Sequence, residues 1–229
     1  MAAYDVGVDA LHKGNYRMAL SEAKKAIDLD DSNADAQLLA ATIYVAMCSY
    51  SPDECRLGEA EKHSRQALKL RGDFRAARNT LGSVLVNEKK YDEAITVLKP
   101  LTEDILYATP EVAWGNLGWA YLERGDLALS VDALRRAVAL EPRFCWGNTK
   151  LALALEKKGD LKAAEQAITA AITTDLPQCK SFADAYEIRA RILSTLGQSD
   201  GARADLEQCS KVGAGTPVGR RCTASLQTP

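Results

Sequence analysis

Residues 111–144 read EVAWGNLGWAYLERGDLALSVDALRRAVALEPRF. Trp114, Leu117, Gly118 and Tyr121 fall three or four positions apart, so they share one face of a first helix. Gly125 ends that helix, and Pro142 stops a second one that carries Leu134 and Ala137. Gly118 and Ala137 lack side-chain bulk, so two antiparallel helices can approach closely there. Trp114, Leu117, Tyr121 and Leu134 then fill the seam between them. The segment reads as one helical hairpin.

The same frame recurs in both directions. It returns at Gly7, Gly14, Tyr16, Ala19, Ala26 and Leu29, then at Ala41, Tyr44, Ala60, Ala67 and Leu70. Leu81, Gly82, Tyr91, Ala94, Leu98 and Leu101 carry it before 111–144. After it come Leu151, Ala152, Gly159, Ala164 and Ala171, and lastly Tyr186, Ala190, Leu193, Gly197, Ala202 and Leu206. A large residue, Leu-Gly, an aromatic, a turn glycine, small residues and a proline make up the tetratricopeptide-repeat (TPR) pattern. The expected fold is all-α: a single TPR superhelix over 1–229, an α-solenoid with repeats at about 1–33, 34–74, 75–110, 111–144, 145–182 and 183–212. Residues 213–229, through GAGTP and VGRRCTASLQ, are expected to cap it with a short helix, since a solenoid end exposes an apolar face. The period stretches at three places: around CSYSPDEC in repeat two, near 108–110 in repeat three, and within DLPQCKSF between repeats five and six.

The chain has 229 residues, 47% hydrophobic and 26% charged, with aromatics at only 6%. Closely packed helices suit this composition better than a thick sheet core. The net charge of -2 supplies no basic excess for phosphate binding, which argues against a nucleic-acid partner. No apolar run reaches the roughly 20 residues of a membrane span. The opening MAAYDVG runs straight into a helical pattern without a signal peptide. Only two histidines, His12 and His63, occur. Glu59, Glu61 and His63 are spaced like a solvated helix face, and neither histidine has a nucleophile or a CxxC-type site beside it. No Gly-rich phosphate cradle is present. The expectation is a binding module with no catalytic residues, metal or cofactor.

Six cysteines permit full pairing, in several connectivities. Buried free thiols are the plain alternative. Placement favours bridges: Cys48 and Cys55 bracket the repeat-two insertion, Cys145 and Cys179 lie near the starts of successive repeats, and Cys209 and Cys222 link the last hairpin to the cap. Sequence proximity predicts those three pairs. Disulfides imply an oxidising compartment.

In a TPR superhelix the first helix of each repeat lines the concave face, at its second, fifth, ninth, twelfth and thirteenth positions. That frame selects Tyr4, Val8 and Leu11 from repeat one, and Leu38, Thr42 and Val45 from repeat two. Repeat three supplies Asn79 and Val86, repeat four Trp119 and Leu122, and repeat five Trp146 and Leu153. Repeat six is charged instead, with Asp184, Glu187 and Arg191. Apolar residues that repeat packing does not require mark an interaction surface. The carboxylate clamp of chaperone-tail-binding TPRs is not expected, because its positions hold Tyr4, Val8, Leu39, Ala76 and Thr80.

Six repeats, a cysteine-bracketed insertion in repeat two and a capped end resemble the TPR-type pilotins of type IV pili, the PilF/PilW/Tgl family. EPRFCWGNTKLALALEKKGDLKAAE and the ending GTPVGRRCTASL bring it nearest to Tgl. The resemblance implies a monomeric, non-enzymatic lipoprotein on the periplasmic face of the outer membrane. Such a protein binds secretin subunits, promotes secretin assembly and stability, and so serves pilus biogenesis and twitching motility. It also implies a lipidated N-terminal cysteine as the only membrane attachment; the chain as given has neither that cysteine nor a signal peptide, which fits a soluble piece cut after the anchor. A generic cytoplasmic TPR adaptor is the alternative.

Overall fold

The computed structural model describes residues 2–50 and 52–227. It is all-helical, with no strand among the described residues. Contacts divide the chain into two compact units, Met1–Ala108 and Thr109–Pro229.

The first unit holds three hairpins: α1 (Ala2–His12) with α2 (Tyr16–Leu29), α3 (Ala34–Tyr50) with α4 (Leu57–Leu70), and α5 (Arg75–Asn87) with α6 (Tyr91–Thr102). Sequence chemistry sets their ends. Asn15 caps α2, its side chain accepting from the Met18 amide, and Gly14 takes the left-handed turn before it. In the third hairpin Lys89 occupies the equivalent left-handed turn, with φ of 63°. Gly82 is needed for helix approach, since a Cβ there would lie 2.3 Å from Leu98 Cδ2. In the repeat-two insertion a single 3-10 turn, Pro52–Glu54, follows α3, and the Cys48–Cys55 disulfide closes it. Arg17 on α2 pairs with Glu54, tying the insertion to the first hairpin.

The second unit starts with α7 (Pro110–Arg124) and α8 (Leu127–Leu140), then α9 (Cys145–Lys158) and α10 (Leu161–Thr173). Gly125 and Gly159 close α7 and α9 in the left-handed conformation, and Asp160 caps α10 by accepting from the Ala163 amide. At the seam, a Cβ on Gly118 would lie 2.5 Å from Leu134 Cγ. The Gly118 carbonyl accepts a buried hydrogen bond from Ser130 Oγ at 2.8 Å. Leu117 and Leu134 are buried, whereas Trp114 and Tyr121 are half-buried beneath the guanidinium groups of Arg136 and Arg124. The excess between repeats five and six folds as a one-turn helix, α11 (Pro177–Lys180). It is held by the Cys145–Cys179 disulfide and by Arg143–Asp175 at 2.7 Å. The sixth hairpin is α12 (Ala183–Thr195) and α13 (Ser199–Val212).

A last helix, α14 (Pro217–Gln227), packs on both α12 and α13. The Cys209–Cys222 disulfide, with both residues fully buried, joins it to α13. Arg221 grips Glu187 of α12 through two bonds of 2.7 Å. Gly219 admits no side chain, because a Cβ would sit 2.0 Å from the Gly213 carbonyl oxygen.

Within each unit the first helices of successive hairpins touch, α1 to α3 to α5 and α7 to α9 to α12. The second helices make no comparable contact with each other. Each row of first helices is therefore the inner side of its unit.

Candidate functional site

In the first unit the inner row carries Tyr4, Val8 and Leu11 on α1, half-buried against a core of Ala10, Leu39, Ile43 and Met47. Leu38, Thr42 and Val45 on α3 are half-buried as well, and the Thr42 hydroxyl is satisfied internally by donating to the Leu38 carbonyl at 2.9 Å. Asn79 on α5 is half-buried. Burial, reinforced by Asp35, raises the Tyr4 phenol above its ordinary value, so it stays neutral. Val86 does not line this face. At 2% exposure it belongs to the core, because α5 packs against both α3 and α6 there.

In the second unit Leu122 is likewise sealed, at 2% exposure, in the core that includes Val131 and Leu134. Thr149 is buried and donates to the Cys145 carbonyl. Trp119 and Trp146 remain half-buried and meet edge to face, with ring centroids 5.7 Å apart. Leu153 is half-buried against the core behind them. Between the indoles stands Lys150, its Nζ 4.7 Å from the Trp119 ring and 5.5 Å from the Trp146 ring. Burial pushes this ammonium below the usual lysine range, against the opposing pull of Glu123 and Asp184. Trp119 Nε1 donates to Glu123 at 3.1 Å, which holds that indole in place. Trp146 also lines a cleft of about 480 Å³, with Phe144, Leu176, Gln178, Glu141, Arg143 and the Cys145–Cys179 bridge.

The far end of this row is charged but self-satisfied. Arg191 grips Glu156 with bonds of 2.8 and 2.7 Å, and Glu187 is taken by Arg221 of the cap. Arg189 is paired with Asp205, which is itself buried.

Sequence reasoning placed Glu59, Glu61 and His63 on a solvated face; Glu59 is exposed, but Glu61 and His63 are half-buried. His63 is half-buried, stacked 5.8 Å from the Tyr44 ring, with Nδ1 2.6 Å from Gln37 Oε1. Burial lowers its pKa. Glu61 sits between Lys90 and Arg65, chiefly Lys90, which hold its carboxyl down at about 2. Lys150 was missed because the sixth position of a TPR is counted as packing. Its signal was the chemistry at that position: Asn116 and Ile188 hold it in the neighbouring repeats, and both are buried.

Among the described residues no group of three His, Cys, Asp or Glu side chains is placed to hold a metal. No described helix is long and apolar enough to cross a membrane. The hairpins define a tetratricopeptide-repeat superhelix, a scaffold whose stacked repeats build extended concave binding surfaces. The tetratricopeptide-repeat signature matches residues 112–144 and again 149–208.

Particular relatives follow from sequence and from fold. The chain is 28% identical over 141 residues to the type IV pilus assembly protein PilF of Pseudomonas aeruginosa, a match covering 61% of this chain and 52% of that protein. It thus spans about half the length of that relative. The crystal structure of PilW, described as a widely conserved type IV pilus biogenesis factor, superposes with a TM-score of 0.75 at 21% identity, covering 97% of both chains. Pseudomonas aeruginosa PilF superposes at 0.68 with 22% identity over 98% of this chain and 96% of that one. A tetratricopeptide repeat protein from Parabacteroides merdae reaches 0.79 at 15% identity, over 99% and 83% of the two chains. At these identities the superpositions speak for the fold.

Proposed function

We propose that the chain is a type IV pilus assembly factor of the pilotin kind, which binds secretin subunits along its inner helix rows and promotes their assembly in the outer membrane. The observation that carries this is the sequence relationship to PilF across 141 residues. The three disulfides support an oxidising location such as the periplasm and weigh against a cytoplasmic adaptor. Attachment to the outer membrane by a lipidated cysteine N-terminal to these residues belongs to the same proposal.

The physical logic is shielding. A secretin subunit presents apolar, membrane-facing surface before it oligomerises, and a scaffold with half-buried apolar side chains covers such surface. Each fully buried anchor contributes about 1.5–3 kcal/mol before association costs. Helix-in-groove docking and an extended strand both fit this chemistry.

The experiment is co-purification of secretin with variants of the inner rows. Val45→Asp in the first unit and Trp119→Asp in the second place a charge where apolar contact is needed. Both are half-buried, unlike Leu122, whose substitution would disturb the core. The expected outcome is loss of secretin co-purification and of secretin multimers, with helical content retained. Lys162→Glu, an exposed site on α10, should bind normally. Folded Val45→Asp and Trp119→Asp proteins that still support multimers would place the contact elsewhere.

A further inference from the structure

Lys150 is unlike the neighbouring cations of the inner row. Arg191 and Arg189 are each clamped by a carboxylate, and the cap supplies Arg221 to Glu187. Lys150 meets two indole faces, and Glu123 and Asp184 act on it through their charge without a side-chain hydrogen bond. Glu123 is instead engaged by the Trp119 indole. The ammonium has three N–H donors, and ring faces satisfy none of them as an acceptor oxygen does. Its nitrogen is not sealed: the described buried side-chain atom without a hydrogen-bond partner is Glu88 Oε2, not Lys150 Nζ. The cation is therefore largely desolvated, keeps some exposure, and is held by flat walls.

Trp146 forms one wall of this seat and also lines the cleft beside Phe144 and Leu176. Because one indole borders both places, a ligand with an acidic group at the lysine can set a neighbouring apolar group in the cleft. In an extended chain such neighbours are residues one or two apart. We propose that Trp119, Lys150 and Trp146 seat one acidic side chain of an extended, otherwise apolar protein segment, whose adjacent apolar residue enters the cleft of Phe144, Trp146 and Leu176. A side-chain carboxylate fits better than a chain terminus. Lysine acts as a point charge, and the site lacks the several converging donors with which terminal carboxylates are clamped. Glu123 and Asp184 set negative charge near the seat against the positive charge of Lys157, so the local field favours one acidic group over a run of them. This inference rests on the reading of the inner row as a binding face and adds the chemistry of the partner.

The test uses the whole protein and two probes. The first is a random hexapeptide library, acetylated and amidated, with a second copy bearing free C-termini. The second is a peptide array tiling the secretin encoded in the same genome, with every Asp and Glu also presented as Asn or Gln. Wild-type protein should enrich capped hexapeptides with one Asp or Glu beside a large apolar residue. Amide replacement should cut binding about tenfold or more. Lys150→Arg should keep the preference, and Lys150→Met should bind acidic and amide forms alike while melting as wild type. Absence of acidic enrichment in the wild-type library overturns the proposal, whether or not Lys150→Met folds. Enrichment confined to free C-termini, or of acidic runs, overturns it too. If the library behaves as expected but no secretin peptide binds, the site stands and the secretin reading falls.

Discussion

At Gly118 the chain has no room for even one carbon. A Cβ would lie 2.5 Å from Leu134 Cγ, and Leu134 is fully buried and cannot swing away. Gly118→Ala should cost about 1–3 kcal/mol in denaturant unfolding, as overpacking of a close-packed seam does. Lys89 is the opposite case. It holds a left-handed φ of 63° where Gly14, Gly125, Gly159 and Gly197 serve four of the other hairpin turns. Lys89→Gly relieves that strain at some cost in unfolded-chain entropy, so a net gain of about 0.5–1 kcal/mol is expected in the same measurement. His63 adds a pH dependence. Burial lowers its pKa, so the unfolded chain binds its proton more readily than the folded one. Its contribution is fully present above the ordinary histidine value and is lost as pH falls through that value toward the lowered one. Stability should therefore decline as pH falls through the ordinary histidine value, and His63→Gln should flatten that slope.

At the scale of elements, the hairpins were legible because each depends on local chemistry: a turn glycine, a small residue at the seam, a cap. The departures from period were legible as positions but not as shapes. DLPQCKSF read as excess residues, and nothing in it announced that Pro177–Lys180 would form its own helical turn. The burial of Val86 and Leu122 was hidden for a related reason. The repeat frame gives a direction for each position on an ideal hairpin, whereas actual burial depends on how neighbouring helices close over it. Lys150 escaped because sequence alone does not reveal that Trp119 of one repeat leans over the sixth position of the next. The disulfides that pin these irregular elements differ in expected weight. Cys145–Cys179 spans 34 positions and Cys48–Cys55 spans 7. On the loop-entropy estimate, replacing the first pair with serine should cost about 3–4 kcal/mol and the second about 2–3 kcal/mol, as read by chemical denaturation.

For the molecule as a whole, the cross-links are unequally shared. Two of the three lie in the second unit, so reduction should loosen Thr109–Pro229 more than Met1–Ala108. Hydrogen exchange before and after reductant should show the larger loss of protection in α9, α13 and α14. The helix α14 has a further consequence. A stack of like hairpins is a one-dimensional crystal, and its last layer is a growth face onto which another copy's first hairpin can settle. With Arg221 occupying Glu187 and Cys222 bonded to Cys209, that face is poisoned, as a foreign molecule poisons a crystal step. The helix thus covers the layer on which end-to-end accretion of chains would begin, and the bond that holds it there is one that only an oxidising compartment keeps closed.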